Sequence, residues 1–238
     1  MKILTPLSFI CYSIIVLTVM QIQPAGAQNY LHQSFDSTGF PPGGWSNVYV
    51  KGAAYGGSVT DTIWNRESSY SFIEPSAATH TGTGMAAYNS WGLYPGSEAL
   101  LVTPAMDFTS YISGLNKLTF WFYKSNVTDI GWDGYEADTL NVWVNKNATL
   151  SGAVKLKTLI DGIRNVPVVS TAGWYQYIVD LPDSFSSSSH VYIIFDAVSA
   201  YNVDLFLDDV SIDHNPECSG NPNVTFKPGH AYMPICFG

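Results

Sequence analysis

Two stretches decide the reading of this chain: Ser34-Phe35-Asp36 running into Gly39-Phe40-Pro41-Pro42-Gly43-Gly44-Trp45, and Leu205-Phe206-Leu207-Asp208-Asp209-Val210-Ser211-Ile212. Both read as acidic strands. Between them lie many short segments of alternating apolar and polar residues and no sustained helical period. Such a bracket predicts one β-sandwich whose first and last strands lie side by side and can share a cation. On strict alternation Phe206, Asp208, Val210 and Ile212 face one way, and Leu205, Leu207, Asp209 and Ser211 the other. The pattern points to a binding module more than to an enzyme.

The interior segments are rich in β-branched and aromatic residues. In Lys117–Lys124, Leu118, Phe120 and Phe122 share a face, while Trp121 and Tyr123 make the other face partly apolar, which predicts a central strand. Leu140, Val142 and Val144 oppose Asn141, Trp143 and Asn145. Val154, Leu156 and Thr158 alternate with Lys155 and Lys157. Tyr175, Tyr177, Val179 and Leu181 alternate with Trp174, Gln176, Ile178 and Asp180. Val191, Ile193 and Phe195 oppose Tyr192, Ile194 and Asp196. The region from Val48 to Ser97 is less regular, with short strands expected at Ser58–Ile63, Tyr70–Glu74 and Met85–Asn89. Strands without intervening helices imply antiparallel pairing, hence a sandwich or barrel.

The first 27 residues read as an export signal: Lys2, an apolar run from Leu7 to Met20, and Ala25-Gly26-Ala27 as the cleavage site. The run is shorter than the roughly 20 residues a span needs. After cleavage no membrane span is expected, and the protein is predicted to be secreted or on the cell surface through the Sec route. The remaining 211 residues carry 9 basic and 19 acidic side chains, a net −10. Nucleic acid is excluded as a partner on that balance, because phosphates need basic patches. Cys218 and Cys236, in an oxidising compartment, read as a disulfide rather than a zinc site, since His214 and His230 fit no standard zinc spacing. The composition changes near Asn215. The domain is therefore drawn as 28–215, and 216–238 as a linker or the start of a following repeat in a longer protein.

The pieces resemble, in order, a cleaved-adhesin or choice-of-anchor J (MAM-like) domain of secreted Bacteroidetes-type surface proteins. Phe35-Asp36 with Phe40 to Trp45 is similar to the opening strand and Pro-Gly-Trp loop of that family. Leu100 to Asp107 is similar to its "LxTPxxD" segment, and Lys117 to Phe122 to its "LxFxx" strand. Asp138 to Val144 is similar to its "DxLxVxV" strand, Gly173 to Tyr177 to its "W" strand, and Ile193-Ile194-Phe195 with Leu207 to Ile212 to its closing pair. The resemblance covers roughly residues 30–213. It implies an all-β, antiparallel jelly-roll β-sandwich with adhesive or ligand-binding function. It also implies further domains C-terminal to this one; the stub from Cys218 to Gly238 is similar to the start of an Ig-like repeat. The chain departs from some members in lacking an Asp-Gly-Asp-Gly calcium loop.

Calcium takes 6–8 hard oxygen ligands. Asp36 with Asp208 and Asp209 are the candidate ligands of a structural Ca2+; the competing reading is that Asp208 accepts backbone N–H bonds in a turn. Asp129, Asp133, Glu136 and Asp138 form a second acidic cluster beside Trp132 and Tyr135, which fails the EF-hand pattern at Gly131 and Leu140. It reads either as a solvated acidic loop or as a glycan-binding loop, with Asp129, Trp132, Asp133, Tyr135 and Glu136 as ligand contacts. Trp143, between Asn141 and Asn145, is the candidate outward platform for a sugar face. Trp45, Trp121 and Trp174 read as packing residues. No H-E-x-x-H, G-x-S-x-G or phosphate loop is present, and no catalytic residue is assigned. The expected function is a non-catalytic module binding a glycan or an extracellular or host protein. The alternatives are an accessory domain of a secreted multidomain peptidase or glycosidase, or a purely structural spacer.

Overall fold

The computed structural model describes residues 29–55, 57, 62–70, 77–109, 116–126 and 137–214. The segment read as an export signal, residues 129–136 and both late cysteines lie outside them. The described residues form β-strands and single 3-10 turns, without an α-helix. None of their helical turns is long and apolar enough to cross a membrane.

The strands are β1 (Asn29–Gln33), β2 (Ser46–Lys51), β3 (Asn65–Glu67), β4 (Ser69–Tyr70), β5 (Ala77–Ala78), β6 (Met85–Tyr88), β7 (Glu98–Val102), β8 (Asn116–Lys124), β9 (Thr139–Asn145), β10 (Val154–Ile160), β11 (Gly173–Asp180), β12 (Tyr192–Val198) and β13 (Leu205–His214). Eleven of them make two antiparallel sheets, and β4 and β5 pair as a small separate ribbon, so the fold is an all-β jelly-roll sandwich. One sheet runs β11-β8-β13-β6-β3, with β1 added against β13; the other runs β10-β9-β12-β7-β2. β8 is interior, as its two apolar faces predict. First and last strands meet: Leu31 pairs with Ile212 and Gln33 with Val210.

Alternation works wherever the ladder is regular. Leu118, Phe120 and Phe122 from β8 enter the core with Leu140, Val142 and Val144 from β9 and Ile193 and Phe195 from β12. A run of aromatic contacts joins the layers. Phe35 meets Trp45 edge-on at 5.6 Å, Trp45 stacks on Phe195 at 6.5 Å, and Phe195 meets Phe120 edge-on at 5.5 Å. Phe120 stacks on Tyr177 at 5.6 Å. Each such pair adds about 0.5–1.5 kcal/mol beyond area burial.

Three expectations need correction. Ser34-Phe35-Asp36 is not a strand. β1 ends at Gln33, and Phe35 has φ 55, a left-handed conformation that stops the ladder and turns the ring into the core. In β13 the two faces exchange partway. Leu205 and Leu207 point into the main core, and so do Val210 and Ile212. The extra residue is taken up by a bulge between Asp208 and Ser211, with Asp209 at φ 46. In β10 a second bulge, between Lys155 and Lys157, leaves Val154 43% exposed and sends Leu159, not Thr158, fully into the core. Of the short strands expected before Ser97, Met85–Asn89 is realised as β6. Ser58–Ile63 and Tyr70–Glu74 fall largely outside the described residues, and β2, β3 and β7 complete that half of the molecule.

Candidate functional site

The outer face of the six-stranded sheet is covered where it is apolar. Phe206 packs there with Ala77, Met85 and Ala87, against Tyr123 and Trp174. The Trp174 indole N–H donates to Ala78 O at 2.8 Å, fastening β5 over the sheet.

Beside this cover, the three candidate calcium ligands converge on one turn, residues 79–84. Asp36 accepts the Thr83 N–H, the Gly84 N–H at 3.2 Å and the Ser34 hydroxyl at 2.9 Å. The Thr83 N–H is the leading cause holding its carboxyl below the usual range. Gly82 has φ +59, and a Cβ there would run into the Asp36 carboxylate, so this position requires glycine. Asp208 accepts the His80 N–H at 2.9 Å and the Asp209 N–H at 2.8 Å. It is fully buried, and burial pushes its pKa up to about 7. Asp209 accepts the Thr81 hydroxyl at 2.8 Å and lies 2.6 Å from His80 Nδ1. The His80 ring stacks on Trp121 at 3.7 Å. Arg66 completes the seam: Nε donates to Phe35 O at 2.8 Å, and one terminal nitrogen to Asp36 O at 3.1 Å and Thr83 O at 2.7 Å. Carboxylates and hydroxyls are the right donors for calcium. Among the described residues, however, no three His, Cys, Asp or Glu side chains stand together as a metal-holding group. The nearby carbonyls of Phe35, Asp36 and Thr83 already serve Arg66.

Trp143 lies on the outer face of the five-stranded sheet. Register builds two rows there: Lys155, Trp143, Ile194 and Val102 across β10-β9-β12-β7, and Thr158, Asn141, Asp196 and Leu100 beside it. Val102, Ile194 and Leu100 are buried, with Trp143, Leu150 and Tyr192 packed on them. The polar members form one network. The Trp143 indole N–H donates to Asp196 Oδ2 at 3.1 Å, and the Asn141 amide donates to the same oxygen at 3.3 Å. Lys155 Nζ and the Thr158 hydroxyl donate to Asn141 Oδ1 at 3.0 and 2.9 Å. The Lys155 ammonium caps the indole, 4.5 Å from the ring centroid. Asp196 is buried, its pKa is pushed up to about 6 chiefly by that burial, and its Oδ1 has no hydrogen-bond partner among the described residues. Asn141 and Asn145 share the Trp143 side as alternation predicts, yet both are buried.

Of the other predicted contacts, Asp129, Trp132, Asp133, Tyr135 and Glu136 lie outside the described residues. Their neighbour Asp138 is no solvated loop residue. It is fully buried and accepts the Ser90 hydroxyl, the Ala200 N–H at 2.6 Å and the Val203 N–H at 2.6 Å. Burial raises its pKa to about 7. Sequence reading missed a further group at this end of the molecule, the aromatics Tyr55, Trp91, Tyr94 and Tyr201. Their signal was available: Trp91-Gly92-Leu93-Tyr94-Pro95-Gly96 places large rings among turn residues rather than on an alternating strand.

No family model and no curated protein matches the chain. Solved structures do. The K3 cleaved adhesin domain of Lys-gingipain from Porphyromonas gingivalis w83 is 19% identical, with 78% of this chain and 98% of that one covered at a TM-score of 0.49. TmCBM61, solved in complex with β-1,4-galactotriose, is 11% identical, with 79% and 99% covered at 0.50. The carbohydrate-binding module TmCBM27, described as a specific mannan binder, is 14% identical, with 80% and 99% covered at 0.45. At these identities the likeness is one of fold: the chain shares the two-sheet sandwich of TmCBM61 over nearly all of that module.

Proposed function

We propose that this chain is a non-catalytic binding module of a secreted or cell-surface protein of the cleaved-adhesin type, and that it binds a glycan on the outer face of its five-stranded sheet. The observation that carries this reading is the Trp143 group: an indole beside a buried carboxylate whose Oδ1 has no partner among the described residues. Sugars ask for such a pairing, because their C–H faces stack on aromatic rings while their hydroxyls donate to carboxylates. A hydroxyl reaching beneath the exposed Lys155 would satisfy Asp196, whose unmet acceptor otherwise costs about 1–3 kcal/mol. TmCBM61, of the same fold, was solved with a galactotriose, which supports testing neutral oligosaccharides first.

Calcium belongs to the same proposal as a structural ion at the 79–84 turn, drawing on Asp36, Asp208 and Asp209. It would share that seam with Arg66 and need backbone oxygens to complete its shell.

A glycan array probed with the protein and with Trp143→Ala tests the site. The substitution should weaken binding by about tenfold or more, the loss of a central aromatic anchor. Undiminished binding by the variant would remove the sheet face as the site. A chelator should lower the melting temperature if the ion is bound, since a ligand of the folded state alone stabilises it. An unchanged melt would leave the seam to Arg66 and the loop N–H groups.

A further inference from the structure

We propose that the loop end of the sandwich carries a second ligand site, an aromatic platform of Tyr55, Trp91, Tyr94 and Tyr201 that takes a neutral pyranose ring of a glycan. This inference rests on the glycan-binding reading above but concerns a separate surface. Three chain segments supply the rings. Tyr55 and Tyr94 lie 3.9 Å apart between centroids, Tyr55 and Tyr201 5.0 Å, and Trp91 stacks on Tyr201 at 5.1 Å with only 9° between planes. They do not belong to the buried core: Tyr55 is 50% exposed and Tyr94 45%. A contiguous group of large rings, with Tyr55 and Tyr94 exposed and Trp91 and Tyr201 half-buried, marks an interaction surface, where single exposed apolar residues do not.

The platform is held in place before any ligand arrives. Tyr55 N–H donates to Gly92 O at 2.9 Å and Tyr94 N–H to Ala53 O at 3.0 Å, so these two rings ride on a small antiparallel bridge. Trp91 N–H donates to Asp204 Oδ1 at 3.1 Å. Beneath, Asp138 accepts from Ser90, Ala200 and Val203, locking the turn that carries Trp91 to the loop that carries Tyr201. Ser90 Oγ also lies 2.8 Å from the Ser199 hydroxyl. Tyr201 itself sits at φ 59, a conformation a tyrosine keeps only where its surroundings impose it. Fixed rings lose little freedom on binding, which favours a weak, stacking ligand.

The ligand class follows from the groups present. Flat rings with phenolic hydroxyls at their edges suit a sugar's C–H face and its hydroxyls. None of the four side chains is basic and the chain is net −9, so the sugar is neutral rather than sulfated or uronic.

The test follows the indole N–H resonances of Trp91 and Trp143 by 1H–15N NMR while the whole protein is titrated with methyl β-galactoside, methyl β-glucoside and methyl α-mannoside at millimolar concentrations. The expected result is a saturable shift of Trp91 with at least one glycoside, weakened about fivefold to tenfold in Tyr94→Ala and in Tyr55→Ala and retained in Trp143→Ala. Both tyrosines are exposed enough that their removal leaves the fold intact. A shift of Trp143 alone overturns the platform and leaves the sheet-face reading standing. Stillness of both indoles with all three glycosides, the outcome for a protein-binding surface, overturns both. A Trp91 shift indifferent to the tyrosine substitutions also overturns the platform.

Discussion

Asp138 and Asp196 are carboxylates held where a charge is costly, and each is tolerated because of what it organises. Asp138 ties together two loops, and Asp196 gathers Trp143 and Asn141. Burial raises their pKa values to about 7 and about 6. Folded chains therefore hold protons that unfolded chains have lost between about pH 4 and the raised values. In that window the native state binds more protons, so stability falls as pH rises. The melting temperature should climb as pH drops from 8 to 5. It should then decline below about pH 4, where Asp36 and Asp107, whose values are lowered by hydrogen bonds, are protonated. A melting temperature that is flat or falling between pH 8 and pH 5 contradicts this. Neither role was legible in the sequence. Asp138 reads as one more acid of the 129–138 cluster, because its donors Ala200 and Val203 arrive from some 60 residues away.

At the scale of elements, alternation located the ladders and failed at bulges. Leu118, Phe120 and Phe122 lie where period two puts them because β8 runs unbroken between β11 and β13. β10 and β13 each carry one extra residue, and one extra residue sends everything after it to the opposite face. Nothing in Val154-Lys155-Leu156-Lys157 announces this; the bulge arises because Leu159 must lie opposite Leu140 in the core. The consequence is measurable. Leu159→Ala should cost about 2–5 kcal/mol in denaturant unfolding, and Val154→Ala less than about 0.5 kcal/mol. Equal losses at the two positions would restore the unbulged register. The Asp208–Asp209 bulge has a different use: it turns Asp208 and Asp209 toward the 79–84 turn and so joins the closing strand to the segment before β6.

For the whole fold, the expectation that first and last strands lie side by side is met by β1 and β13. β13 is long enough to take two partners along one side, β6 against Leu205 to Leu207 and β1 against Val210 to Asp213. Strand order within each sheet was beyond reach, since alternation reports faces and not neighbours. That order decides which outer face stays available. β5 and Trp174 cover the six-stranded sheet, while Trp143, Asn141, Lys155 and Asp196 stand together on the other only because β10, β9 and β12 are consecutive. On the proposed function, this sandwich binds sugar without altering it. Calorimetric titration of the whole protein with β-1,4-galactotriose and other neutral oligosaccharides, followed by measuring the length of the recovered sugar, tests it most directly. Saturable heat with the oligosaccharide recovered at full length is the predicted result. Shortened product, or no heat with any member of the set, would contradict it.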